Sequence, residues 1–281
     1  MGGTEANFWR LAAATAFLAM WAHTFGQGLG GDSFALFVIS GVIGIGSDVF
    51  LFQALPRVGS RLTLLIIQCF TVLSAAALEW LWLGVRLSLR QAAACAIILA
   101  GVALALAPGG HPRPKKGVLA AGICFGFLAA FGNGFGAVIS RKAYAVAAQA
   151  HQDIDGATAA YQRLIGGLLV AAACLLVVKR REIAAHLARS APPLVPAAEK
   201  WRRAWPWVLA NGFAGQTLGV TCYQWALKTT PSGLVLAIVA TTPLVVIPFA
   251  SAMEGDKVEP RSVVGGLIAV LGAILLVVIG A

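Results

Sequence analysis

The sequence predicts an all-α integral membrane protein of about nine transmembrane helices, and three observations carry that expectation. The 281 residues are 59% hydrophobic and only 11% charged, with a mean hydropathy of +0.84, whereas a soluble domain carries about 25% charged residues. The apolar residues fall in runs of roughly 20, the length a helix needs to cross a bilayer. Strict alternation of polar and apolar residues is absent, which removes the closed β-barrel, the other spanning architecture.

In chain order the runs predict spans at 8–26, 34–55, 62–83, 91–108, 117–140, 158–178, 205–227, 233–252 and 262–281. Charged or Gly/Pro-rich breaks bound each of them. Most connections are short, so successive helices are antiparallel neighbours. His111-Pro112-Arg113-Pro114-Lys115-Lys116 lies near the midpoint and reads as a linker. Residues 179–204 carry Lys179, Arg180, Arg181, Arg189, Lys200, Arg202 and Arg203 with Pro192, Pro193 and Pro196, the composition of an exposed basic loop. Trp201, Trp205 and Trp207 at its end suit a headgroup belt.

The net charge of +10 would suggest nucleic acid in a soluble chain. Here the cations sit between apolar runs, as they do beside lipid headgroups, and no basic stripe with interleaved aromatics appears. The expected partners are therefore the bilayer and a small molecule, with no nucleic acid. Cys69, Cys95, Cys124, Cys174 and Cys222 each fall in a separate run, which predicts free, buried, inert thiols. Gly26-x-Gly28-x-x-Gly31 formally matches a dinucleotide fingerprint but follows a predicted membrane helix, so it reads as a turn. No Walker A sequence, HExxH, nucleophile elbow or metal-spaced Cys/His set is present, so neither catalytic residues nor a metal or cofactor are expected.

Two halves of the chain resemble each other. Gln53-Ala54-Leu55 is similar to Trp225-Ala226-Leu227, and at a shift of 171 Gly84 meets Gly255, Arg90 meets Arg261 and Gly101 meets Gly272. At a shift of 153, Phe8-Trp9-Arg10-Leu11 is similar to Tyr161-Gln162-Arg163-Leu164; the long loop 179–204 accounts for the change of shift. This pattern predicts an internal duplication.

Asp48-Val49-Phe50-Leu51-Phe52-Gln53-Ala54-Leu55, Leu81-Trp82-Leu83-Gly84, Tyr223-Gln224-Trp225-Ala226-Leu227, Thr242-Pro243-Leu244 and Glu254-Gly255-Asp256 resemble the EamA-type repeats of the drug/metabolite transporter superfamily. The resemblance implies two inverted five-helix repeats around a central cavity. Laid on this chain it gives a first repeat over 1–110, a linker at 111–116 and a second repeat over 117–281. The layout is 4+5, without the first helix of the 5+5 plan. Val85 also stands where the first repeat usually carries a Glu after Leu-Gly. The positive-inside rule, applied to the loops taken alternately, places Met1 in the cytoplasm and Ala281 outside, whereas the family plan for a chain lacking its first helix implies the reverse.

The implied function is secondary transport, most naturally export, of a small metabolite or drug-like molecule across the inner membrane of a bacterial-type cell. The alternative is a membrane binding or scaffold protein of the same fold that does not transport. Ionisable groups inside a bilayer are functional candidates by default. Asp48 lies deep in span 34–55, as a cavity-facing carboxylate or an interhelical acceptor. Glu79 could gate an exit or snorkel at the interface, and Arg163 could attract an anionic group or pair with headgroups or a carboxylate. Gln53, Gln68, Asn133, Asn211, Gln216, Tyr223 and Gln224 could line a pocket or bond helix to helix. Gln216 and Tyr223 stand two α-turns apart, hence on one face. Pro243 and Pro248 interrupt span 233–252, the kind of break at which transporters bind substrate. His23 reads as structural. Gly122-xxx-Gly126 and Gly132-xxx-Gly136 permit close helix approach, within the chain or in a homodimer.

Overall fold

The computed structural model describes residues 3–107, 116–187, 197–244 and 260–280. Most of the expected linker, residues 188–196 of the basic loop, Pro248 and Glu254-Gly255-Asp256 lie outside the described residues. The described chain is helical, with no strand among it. The helices are α1 (Gly3–Thr24), α2 (Phe34–Gly44), α3 (Asp48–Leu83), α4 (Leu89–Leu106), α5 (Lys116–Gln149), α6 (Gly156–Leu187), α7 (Ala197–Asn211), α8 (Val220–Thr229), α9 (Ser232–Val239) and α10 (Pro260–Gly280). A π-helical segment, Gly212–Gly219, joins α7 to α8 without a break. Five helical stretches among the described residues are long and apolar enough to cross a membrane: Phe34–Leu83, Leu89–Leu106, Lys116–Gln149, Gly156–Arg180 and Pro260–Ile279.

Two boundaries differ from expectation for physical reasons. The predicted span 34–55 breaks at Ile45–Ser47, so its second part starts a new helix at Asp48. That new helix then runs on past Pro56 and bends at Gly59, whose φ of 79° only glycine adopts without strain. The predicted span 117–140 stops at the charges Arg141-Lys142, but α5 continues to Gln149; Arg141 is taken up by Glu79 of α3 and by Thr230 O.

The chain divides into two compact units, residues 1–46 with 142–228, and residues 47–141 with 229–281. In the first unit, Leu11, Ala14, Leu18 and Ala22 form one stripe along α1, the spacing of a single helix face, and pack on Ala157, Ala160, Tyr161, Leu164 and Ala171 of α6. Small residues bring α2 against α6: a methyl group on Gly41 or Gly166 would collide with the other helix's backbone.

In the second unit, α4 and α10 approach at backbone distance. A methyl group at Gly101 would lie 2.5 Å from Ala269 N, and one at Gly272 would lie 2.8 Å from Ile98 Cγ1. Ser262 Oγ donates to Ala105 O across the same seam. Without a hydrophobic drive between helices in lipid, such close packing is the main source of association. Helix α3 ends on Gly84 in the left-handed conformation (φ 69°), and α4 begins with a capping box between Ser88 and Gln91. Helices α3 and α5 run parallel, with Gly122 against Val58, Gly126 against Ile66, and Thr71 Oγ1 donating to Ala130 O. The Gly122-xxx-Gly126 face is thus used inside the chain.

Candidate functional site

The second unit contains a buried carboxylate cluster. Glu79, four residues before the end of α3, is 2% exposed. Its Oε1 accepts from Arg141 Nε of α5 at 2.8 Å, and its Oε2 accepts from both the backbone N–H (2.6 Å) and the hydroxyl of Ser232, the first residue of α9. Arg141 Nη1 donates to Thr230 O at 3.0 Å. Glu79 therefore satisfies an otherwise orphan donor at the N-terminus of α9 and neutralises a half-buried guanidinium at once. It does not snorkel. Three elements distant in sequence meet on it, and charge-assisted bonds in a low dielectric hold them in one arrangement.

Arg163 organises the first unit. It is 5% exposed, so it does not reach headgroups. Its Nη1 donates to Ser40 Oγ of α2 at 2.7 Å, and its guanidinium lies 5.5 Å from the ring centroid of Tyr223 on α8, a cation–π distance. The adjacent Gln162, fully buried, donates from Nε2 to Gly28 O and Gly30 O at 3.0 Å each. That bond folds the glycine turn onto α6; Gly28 and Gly31 have φ of 58° and 100°. His23 Nε2 and Tyr161 Oη lie 3.3 Å apart. At the start of α6, Asp155 Oδ1 accepts from the N–H groups of Ala157 and Thr158, an N-cap. Burial pushes the Asp155 carboxyl up, but bonds from Thr158, Ala157 and Trp21 outweigh it and hold the group below the usual carboxylate range.

The remaining candidates are dispersed. Asp48 is half-buried in the first turn of α3, beside the helix break. Gln53 is exposed and accepts from Arg57, one turn on. Gln68 is half-buried. Asn133 donates to Ala129 O of its own helix, and Asn211 accepts from Arg10 at 3.4 Å. Gln224 is fully buried, and Pro243 is buried just beyond the end of α9. Gln216 lies in the π-helical segment, whose wider turns remove the simple two-turn relation to Tyr223. The thiols are free as expected, but Cys124 and Cys222 are exposed and only Cys95 is fully buried.

Sequence reasoning missed Arg141, Ser232, Ser40 and Gln162. Arg141 was lost by ending the span at its charge; the apolar run resuming at Ala143 was the available signal. Ser232 follows Pro231, a helix-start pattern. Nothing in the sequence pairs Ser40 with Arg163. Among the described residues no three His, Cys, Asp or Glu side chains are grouped to hold a metal ion.

The family model of the EamA-like transporter family matches residues 1–107 and 120–278. No curated protein matches. A solved structure titled only "Crystal structure of protein" is 16% identical, covers 97% of this chain and 88% of its own, and superposes with a TM-score of 0.69; at that identity it speaks to the fold. With apolar helices of spanning length and a family match over nearly its whole length, the chain is a multi-pass membrane protein and belongs to the EamA-like transporter family.

Proposed function

We propose that the protein is a secondary transporter that exports a small metabolite or drug-like molecule across the cytoplasmic membrane by alternating access. The family match over 1–107 and 120–278 carries this reading. Its two blocks support repeats over 1–110 and 117–281. So does the α4–α10 seam: a shift of 171 turns the Gly101–Ala269 contact into the Gly272–Ile98 contact, the reciprocity a two-fold-related duplication requires.

Substrate moves the equilibrium between the two access states only by its difference in affinity for them. Arg163 with Tyr223, together with Gln216 and Gln224 on the same continuous helical stretch, is the proposed contact set in the first unit. Asp48, beside a helix break, is the proposed coupling carboxylate. Metabolite profiling of a knockout against an overexpressor selects substrates, and flux is then measured in proteoliposomes. Flux that is saturable, and whose pH dependence is altered by Asp48→Asn, supports the proposal. Ligand-induced thermal stabilisation without flux would establish the non-transporting alternative.

A further inference from the structure

We infer that one end of the first unit carries a binding surface for an anionic glycerophospholipid, with Arg180 and Arg202 taking the phosphate. The apolar run of α6 ends at Val178 and passes into Lys179-Arg180-Arg181-Glu182. At that end, Leu176, Val177 and Val178 are 60%, 64% and 66% exposed. An exposed aliphatic run passing directly into cations marks the change from acyl chain to headgroup.

The other elements at this end show the same transition. Trp9 of α1 meets Trp205 of α7 edge to face at 5.9 Å. Lys179 Nζ pairs with Glu5 at 2.9 Å, and Arg10 Nη1 donates to Asn211. These contacts hold the C-terminal end of α6 and α7 each against α1. Arg202 is exposed one turn before Trp205, and Trp207 is 73% exposed. A tryptophan projecting at the level of basic side chains is the arrangement found at headgroup depth.

Charge decides the lipid. By sequence, Arg10, Lys179, Arg180, Arg181, Lys200, Arg202 and Arg203 stand against Glu5, Glu182 and Glu199 at this end. A zwitterionic headgroup gains little there, whereas a headgroup of net negative charge gains about one charge interaction per cation. Arginine's planar fork also suits phosphate oxygens. The chains of the bound lipid would lie along Leu176, Val177 and Trp207.

The test uses the purified full chain in neutral detergent, titrated with dioctanoyl phosphatidylglycerol, dioctanoyl phosphatidylcholine or inorganic phosphate while the thermal unfolding midpoint is followed. Phosphatidylglycerol should raise the midpoint in a saturable, salt-sensitive manner; phosphatidylcholine and inorganic phosphate should not. The pair R180Q/R202Q should weaken the apparent affinity roughly ten- to thirty-fold, as loss of about 1 kcal/mol per cation implies. K228Q, at the opposite end of α6 where Lys228 pairs with Asp153, should leave it unchanged. Equal response to the two lipids, an equal response to inorganic phosphate, or an undiminished response in R180Q/R202Q overturns the assignment. Should R180Q/R202Q fail to fold, native mass spectrometry of the wild-type chain with both lipids at equal concentration decides: preferential retention of phosphatidylglycerol supports the site, and equal retention overturns it.

Discussion

Replacing Glu79 by glutamine removes one charge from a buried pair with almost no change in volume. Glu79 is 2% and Arg141 17% exposed, so solvent screens the pair little. The introduced amide could still accept from Ser232 with its oxygen, but its NH2 group would then face the guanidinium, donor against donor. Arg141 would keep its bond to Thr230 O and lose its carboxylate. Breaking a buried pair from one side costs about 3–5 kcal/mol, and E79Q is expected in that range. Glu79→Ala adds the unsatisfied Ser232 N–H, worth about 1–3 kcal/mol more. The assay is equilibrium unfolding in a mixed-detergent titration, run as a double-mutant cycle with Arg141→Met. In the double variant E79Q/R141M no charge is stranded and the Ser232 N–H keeps an acceptor, so most of the loss should return. An E79Q protein within about 1 kcal/mol of wild type, or a cycle with no coupling, would refute the argument that this pair fastens α9 to α3 and α5.

Asp155→Ala should cost about 1 kcal/mol at neutral pH, as loss of an N-cap does. Its carboxyl is held below the unfolded value near pH 4. Its stabilisation is therefore complete above that pH and disappears as pH falls through the lower folded value; a gap between variant and wild type that persists undiminished at about pH 2 would contradict this. Tyr144→Phe should leave stability unchanged or raise it, because the Tyr144 hydroxyl is buried without a hydrogen-bond partner; a clear fall in the unfolding midpoint would count against that. Gly265→Ala would place a methyl 2.5 Å from Ala105 N and Gly101 O and should cost roughly 1–3 kcal/mol, while Gly266→Ala, with nothing within 4 Å, should be neutral in the same titration.

Solvent and element type follow from composition and run length alone. Runs such as 262–281 and 91–108 are too apolar and too long for water, and α10 and α4 appear within two residues of them. Local sequence also set the breaks that glycine and proline impose, as at Gly84 and Pro231. It singled out Glu79 and Arg163 because a charge in hydrocarbon is costly wherever the fold puts it. What those charges do was decided only by tertiary structure. Arg141 lies 62 residues from Glu79 and Ser232 lies 153 away, and nothing local in any of the three segments specifies the meeting. The same holds for Ser40, 123 residues from Arg163. A charge near the end of an apolar run reads the same whether it faces headgroups or a buried partner. The burial that distinguishes the two is a property of the neighbouring helices, set by how closely small residues such as Gly41, Gly101 and Gly265 let those helices pack.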